Sequence, residues 1–132
     1  MDNREFTNRK VDTSTVNPKE AFAAKSKKAP MEYLVFSILE QDAKCHKHGA
    51  DKYGKLNWRN TNIKASVYVG AIMRHFMAWE GGEDLDPDSG LSHLAHIRAC
   101  CAVILDSTDH GTFVDDRGEI GVISPDAQEN EP

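Results

Sequence analysis

The sequence predicts an all-α fold, a helical bundle of three main helices completed by oligomerisation, on three observations. Apolar side chains recur at spacings of three and four through three long stretches, 31–48, 61–80 and 87–109. Each stretch is closed by glycine, at Gly49, at Gly81-Gly82 and at Gly111. Three helices are also a bare core for a chain of 132 residues, so further copies are expected to complete it.

Taken in order, residues 1–29 are polar, with apolar side chains scattered singly, and read as a flexible N-terminal arm. Ala21 to Lys28 can form a short helix that stops before Pro30. The first main helix is expected after Pro30, running to about His48. Val35, Ile38, Leu39, Asp42 or Ala43, and His46 share one mainly apolar face, and Gly49 is the expected stop. The segment from His48 to Asn60 mixes glycines, aromatics and charges without a period and reads as a loop. The second helix is expected from a Thr61 or Asn62 cap to Glu80, with a broad apolar surface formed by Ile63, Val67, Ala71, Tyr68, Ile72, Phe76 and Trp79. The third is expected to start on an Asp86 cap with Pro87 at its first position and to end near Asp109. Residues 30–110 thus form the helical domain. Residues 111–132 form a C-terminal tail with one short hairpin read over Thr112–Ile123 and a disordered end.

Composition narrows the function classes. Net charge is −5, spread unevenly. Residues 1–30 carry seven Lys/Arg against four Asp/Glu (net +3), while residues 111–132 carry one against six (net −5). An acidic centre argues against duplex nucleic acid as a partner and suits a protein that collects cations. No apolar run reaches the roughly 18–20 residues of a membrane span. Met1 to Lys10 lacks the apolar core of a secretory signal, which places the chain in a cytoplasm. Cys45, Cys100 and Cys101 are an odd count with an adjacent pair, which is no disulfide framework.

Several residues carry chemistry. Glu80, Glu83, Asp84, Asp86 and Asp88 fall within nine positions, and carboxylates this close repel one another unless cations or solvent intervene. Hard oxygen donors are what Mg²⁺ or Mn²⁺ prefer, and Glu83 and Asp86, three apart, can meet one ion. A solvated acidic turn with Asp86 as a helix cap explains the same residues. Glu40 lies beside the apolar stripe of the first helix, where a metal site between helices would need a second carboxylate. Lys52, Tyr53, Asn57, Trp58 and Arg59 place cations, aromatics and an amide together, as a phosphate and a purine ring require. The same aromatics can simply pin the loop to the bundle. Arg74-His75 interrupts the second helix, and His93 and His96 lie one turn apart on the third. Such histidines hydrogen-bond between helices or orient a ligand. A structural zinc site built from Cys45, His46, His93 and His96 is an alternative, although its spacing matches no standard zinc pattern. No Walker loop, Gly-x-Ser-x-Gly or Gly-x-Gly-x-x-Gly is present.

Three stretches, His48–Arg59, Arg74–Trp79 and Gly82–His96, taken together resemble the dATP/dGTP diphosphohydrolases, small phage enzymes related to the MazG-like all-α nucleoside triphosphate pyrophosphatases. The likeness spans about residues 31–108. It is strongest to the MazZ type, found in phages that replace adenine by 2-aminoadenine in their DNA. The resemblance implies that 30–110 is a helical catalytic domain, a dimer or tetramer in a host cell cytoplasm. It also implies Mg²⁺ or Mn²⁺ held by carboxylates. The implied reaction cleaves dGTP, with dATP a further substrate, to the deoxynucleoside monophosphate and pyrophosphate, supplying dGMP for 2-aminoadenine nucleotides. Carried over, Glu40, Glu83 and Asp86 are expected as metal ligands and catalytic groups. Lys52 and Arg74 are expected on phosphate, Asn57 and Trp58 on the nucleoside, and His75 and His93 on ligands or phosphate. The MazG-like pattern departs here: its first motif is incomplete, because Ala43 stands where a second carboxylate belongs. A helical module that binds nucleotide without hydrolysing it is the alternative that this departure keeps open.

Overall fold

A computed structural model of the chain describes residues 15–118 and divides it into two compact units, Met1–Leu34 and Val35–Pro132. In the first unit, α1 (Pro18–Lys25) starts on Asn17, whose side chain accepts from the Lys19 N–H at 2.9 Å, with proline at the first helical position. The helix thus begins three residues before the expected Ala21. A single 3₁₀ turn follows over Met31–Tyr33.

The second unit contains α2 (Phe36–Tyr53), α3 (Ala65–Glu80), α4 (His93–Asp109) and two short strands, β1 (Ile63–Lys64) and β2 (Phe113–Val114). The all-α reading holds, because the two strands contribute only two residues each. The helix α4 packs against both α3 and α2. No helix among the described residues is long and apolar enough to cross a membrane.

Element boundaries moved for identifiable reasons. The helix after Pro30 is interrupted: Leu34 and Val35 are extended and α2 starts only at Phe36. It then runs through Gly49 to Tyr53, supported by the Lys47–Asp51 pair one turn apart at 2.9 Å, and Gly54 ends it at φ +93°. The first half of the expected loop is therefore helical. Thr61 and Asn62 do not cap α3, because Ile63 is drawn into a parallel pairing with Phe113 and its N–H donates to the Thr112 carbonyl at 2.9 Å. The first turn of α3 is closed instead by Asp116, whose carboxylate accepts from the Ser66 N–H and hydroxyl. Phe113-Val114 is thus a partner of β1, and the return strand expected up to Ile123 lies beyond residue 118, outside the described residues.

The third expected boundary moved furthest. Asp86-Pro87 does start one helical turn, closed by the Gly90 N–H on the Asp86 carbonyl at 2.7 Å. Gly90 then takes φ +71° and stops it. The chain folds back so that Leu85 bridges Ser92, and α4 begins at His93 on a Ser92 cap that accepts from the Leu94 N–H at 3.2 Å.

The interior is sparing in apolar side chains. Among the described residues, Cys45, Ile63, Ala65, Ala95 and Val103 are the buried hydrophobics, and Ser107 is the largest side chain with almost no exposure. Phe76, Met77 and Leu105 remain exposed on α3 and α4.

Candidate active site

A cavity of about 540 Å³ opens among α2, α3 and α4, within the usual range for small-molecule sites. Its wall carries Lys52, Trp58, Arg74, His75, Asp86 and His96. Three glycines at positive φ place these groups. Gly54 lets the chain leave α2 so that Asn57 and Trp58 reach the cavity. Gly82 and Gly90 shape the 81–92 loop that brings Asp86 under α3.

At the deep end, His75 of α3 and His93 of α4 face each other, Nδ1 to Nδ1, at 2.9 Å. Asp86 Oδ2 lies 3.6 Å from the same His75 nitrogen. These three side chains offer ligand atoms that all lie within 4.8 Å of one another. Glu83 Oε1 accepts from His93 Nε2 at 2.7 Å, which assigns the His93 proton to Nε2, since a carboxylate only accepts. His93 is 4% exposed, so both ring nitrogens have partners in a buried place. His96 stacks on His75 at 4.7 Å with the rings nearly parallel, and its Nε2 meets the Ser89 hydroxyl at 2.6 Å.

The electrostatics keep this cluster in complementary states. Burial pulls the His75 pKa below the usual histidine value despite the opposing pull of Asp86, and burial with the His75 neighbour does the same for His96. Burial raises the Asp86 carboxyl, but the Asp88 and Ser89 backbone N–H groups and the flanking histidines outweigh it, so the net shift is downward. Neutral imidazoles thus face an ionised carboxylate, which is the state a cation needs.

At the mouth, Asp88 accepts from Lys52 Nζ at 2.7 Å and lies 3.4 Å from His48 Nε2. Arg74 is exposed along α3, next to Gly70, where a Cβ would come 3.3 Å from its Nη1. Trp58 is held from outside the cavity: its indole N–H donates to Asp106 Oδ2 at 2.6 Å, and Arg59 binds both oxygens of the same carboxylate at 2.8 and 2.9 Å. Just before it, Leu56 lies in the left-handed region at φ +55°, which costs about 1 kcal/mol for a branched side chain. A second cavity of about 560 Å³ lies on the other side of Trp58, but Arg59 and Asp106 in its wall are already bound to each other.

Of the residues singled out from the sequence, Lys52, Asn57, Trp58, Arg74, His75 and Asp86 all line the first cavity, and His93 lies directly behind His75. Glu83 reaches the cluster only through His93. Glu40 is exposed on α2 and is not part of the cavity wall. Cys45, His46, His93 and His96 do not form a ligand group; among the described residues His75, Asp86 and His93 alone come close enough together. Burial also pushes the Cys45 thiol up to about 11, so it stays protonated at neutral pH. Asp106 and His48 were not anticipated. His48 had a faint signal, four residues before Lys52 and so on its face of α2. Asp106 had none, because its partners lie almost fifty positions away.

Comparison with known proteins agrees with the sequence resemblance. Residues 18–117 match the family model described as dATP/dGTP diphosphohydrolase, N-terminal. A dATP/dGTP diphosphohydrolase of Salmonella phage PMBT28 is 33% identical over 69 residues, 52% of this chain and 23% of that protein. The chain therefore spans about a quarter of the length of this curated relative. No solved structure matches the chain. With the model covering most of its length, the chain belongs to the dATP/dGTP diphosphohydrolase N-terminal family.

Proposed function

We propose that this family member hydrolyses a purine deoxynucleoside triphosphate, dGTP and also dATP, to the monophosphate and pyrophosphate with a divalent cation. The observation that carries the reading is the meeting, in one nucleotide-sized cavity, of an imidazole–carboxylate cluster with Arg74 and Lys52 beside an aromatic wall. The phage relative's name, dATP/dGTP diphosphohydrolase, supports it.

His75, Asp86 and His93 would hold the cation. When bound there, it supplies Lewis acidity toward a phosphoryl oxygen and lowers the pKa of a bound water. The chain's own residues do the rest. Arg74 spreads positive charge over the triphosphate, and Lys52 joins it by exchanging Asp88 for phosphate oxygen. Trp58 offers a face to the purine, and Asn57 a donor and an acceptor to its edge. Glu83 holds His93 in the tautomer that presents Nδ1. Water adds to the α-phosphorus, the bond from that phosphorus to the bridging oxygen breaks, and pyrophosphate leaves. The dGMP product would feed 2-aminoadenine nucleotide synthesis in a phage-infected cytoplasm. A second copy of the chain, as dimer or tetramer, would cover Phe76, Met77 and Leu105; light scattering on the purified protein reads this directly.

The test is incubation with each of the four dNTPs and Mg²⁺ or Mn²⁺, with products separated by ion exchange. Monophosphate and pyrophosphate, chiefly from dGTP or dATP, are expected. Diphosphate and phosphate would refute attack at the α-phosphorus. Binding without turnover under every condition would favour the non-catalytic module, a reading to which the Lys52–Asp88 contact lends some weight, since the cation expected on phosphate is already paired.

A further inference from the structure

We propose that His75, Asp86 and His93 form a site for one first-row transition ion, of the series from Mn²⁺ to Zn²⁺, and not a Mg²⁺ site, with Glu83 acting as the positioning residue of His93 and not as a ligand. Only the catalytic use of this ion rests on the proposed function; its binding does not.

The donor set carries the argument. Two imidazole nitrogens and one carboxylate oxygen converge, and the separations of 2.9 and 3.6 Å bracket those of ligands sharing one ion. Two donors each about 2.1 Å from a common centre lie about 3.0 Å apart at a right angle and about 3.4 Å apart at a tetrahedral one. Mg²⁺ demands oxygen ligands and keeps its waters, whereas imidazole suits the later divalent ions. Three protein ligands leave positions open toward the cavity, as a site that must also receive water and phosphate requires.

The orientation of the His93 ring excludes Glu83 from the ligands. Its Nδ1 faces His75 while its Nε2 faces Glu83, so the ring stands between the carboxylate and the point where the donors meet. A carboxylate on the outer nitrogen of a histidine fixes the tautomer and raises the basicity of the inner one. The proton between the two Nδ1 atoms is then the only other way to satisfy them. The cluster is therefore either an imidazole–imidazole hydrogen bond or a metal site, and these two states differ measurably.

Full-length protein stripped with chelator is titrated separately with Mn²⁺, Co²⁺ and Mg²⁺ by calorimetry, and the imidazole ¹⁵N signals are followed by NMR. One Mn²⁺ or Co²⁺ per chain is expected, held more tightly than Mg²⁺ by about an order of magnitude or more. Mn²⁺ should broaden His75 and His93 most strongly, with His96, stacked on His75, next. Equal or tighter Mg²⁺ binding, unperturbed His75 and His93 signals, or no bound ion would overturn the assignment. Glu83→Gln should keep one ion per chain and weaken it by about 10–100-fold, whereas Asp86→Asn should remove it; the reverse pattern would make Glu83 a ligand. Ion binding at the histidines without hydrolysis of any dNTP would remove the proposed function and leave this inference intact. Hydrolysis sustained by Mg²⁺ with nothing bound at His75 and His93 would do the opposite.

Discussion

Asp86 and Asp106 are both partly buried aspartates with several polar partners, and they are used in opposite ways. Asp106 is closed by Trp58 and by two nitrogens of Arg59, three donors shared over its two oxygens. Asp42 is treated alike by Arg98 across α2 and α4, at 2.9 and 2.8 Å. Asp86 has one oxygen on the Asp88 N–H and the other near His75, whose burial keeps it from holding a permanent positive charge. A carboxylate locked to guanidinium is part of the scaffold, whereas one facing neutral imidazole retains charge to give to an incoming cation. On the proposed reading, the molecule separates its scaffold carboxylates from the one it keeps for a ligand, and the partner's chemistry marks which is which.

The largest expected effect breaks the inner region alone. Asp86→Asn should lower dNTP turnover by two orders of magnitude or more, roughly the range for losing one group that acts on developing charge. Its thermal melt should stay close to that of the unmodified chain. A turnover within a few-fold of normal would place the working carboxylate elsewhere.

The counterpart is Asp106→Asn, which should lower the melting temperature and raise KM through a looser Trp58, with a smaller effect on kcat. Its acid limb separates it further. The hydrogen bonds from Arg59 and then Trp58 hold the Asp106 carboxyl well below the usual carboxylate range. A depressed carboxyl stabilises the fold above its unfolded pKa, about 3.9, and this contribution is lost as the pH falls below that value. Urea midpoints measured down to about pH 3 should therefore fall less steeply for Asp106→Asn than for the unmodified chain. Parallel limbs would show that the clamp contributes nothing to stability.

The smallest effect joins the two regions. Gly70→Ala in α3 should stabilise by about 0.5–1 kcal/mol through helix propensity. It should also displace the Arg74 guanidinium by a few tenths of an ångström, because its Nη1 lies 3.3 Å from the added carbon. Denaturant melts and KM for dGTP read the two consequences separately. A gain in stability with unchanged KM would remove Arg74 from the phosphate.

Periodicity made the three helices legible because each buries one face, and Gly81-Gly82 and Gly111 stop helices where expected. The starts were not legible. The caps Val35, Lys64 and Ser92 are chosen by an extended segment, a distant strand and a folded-back loop, none of which leaves a local mark. The same division holds in the cavity. Lys52, Asn57, Trp58, Arg74, His75 and Asp86 stood out as polar or aromatic residues, although a pinned loop and a helix cap explained Trp58 and Asp86 as well. Glu40 stood out beside the apolar stripe of the first helix and in the incomplete MazG-like motif, but it is exposed and not part of the cavity wall. The meeting of His75, Asp86 and His93 depends on Gly90 stopping the turn that Asp86 starts, which no helix-start rule anticipates.

The sealing of α3 by Asp116 sets an order of events during synthesis. Ser66 and its cap are separated by fifty positions, so α3 is made, and its neighbour α4 after it, while its first turn is still open. Contacts of such separation pay their loop-closure entropy late, after α3 and α4 have met. Strengthening the Ile63–Phe113 pairing should then leave the folding rate nearly unchanged and slow unfolding instead. The two short strands act as the catch that is fastened last, and the lifetime of the folded chain is where their contribution would be seen.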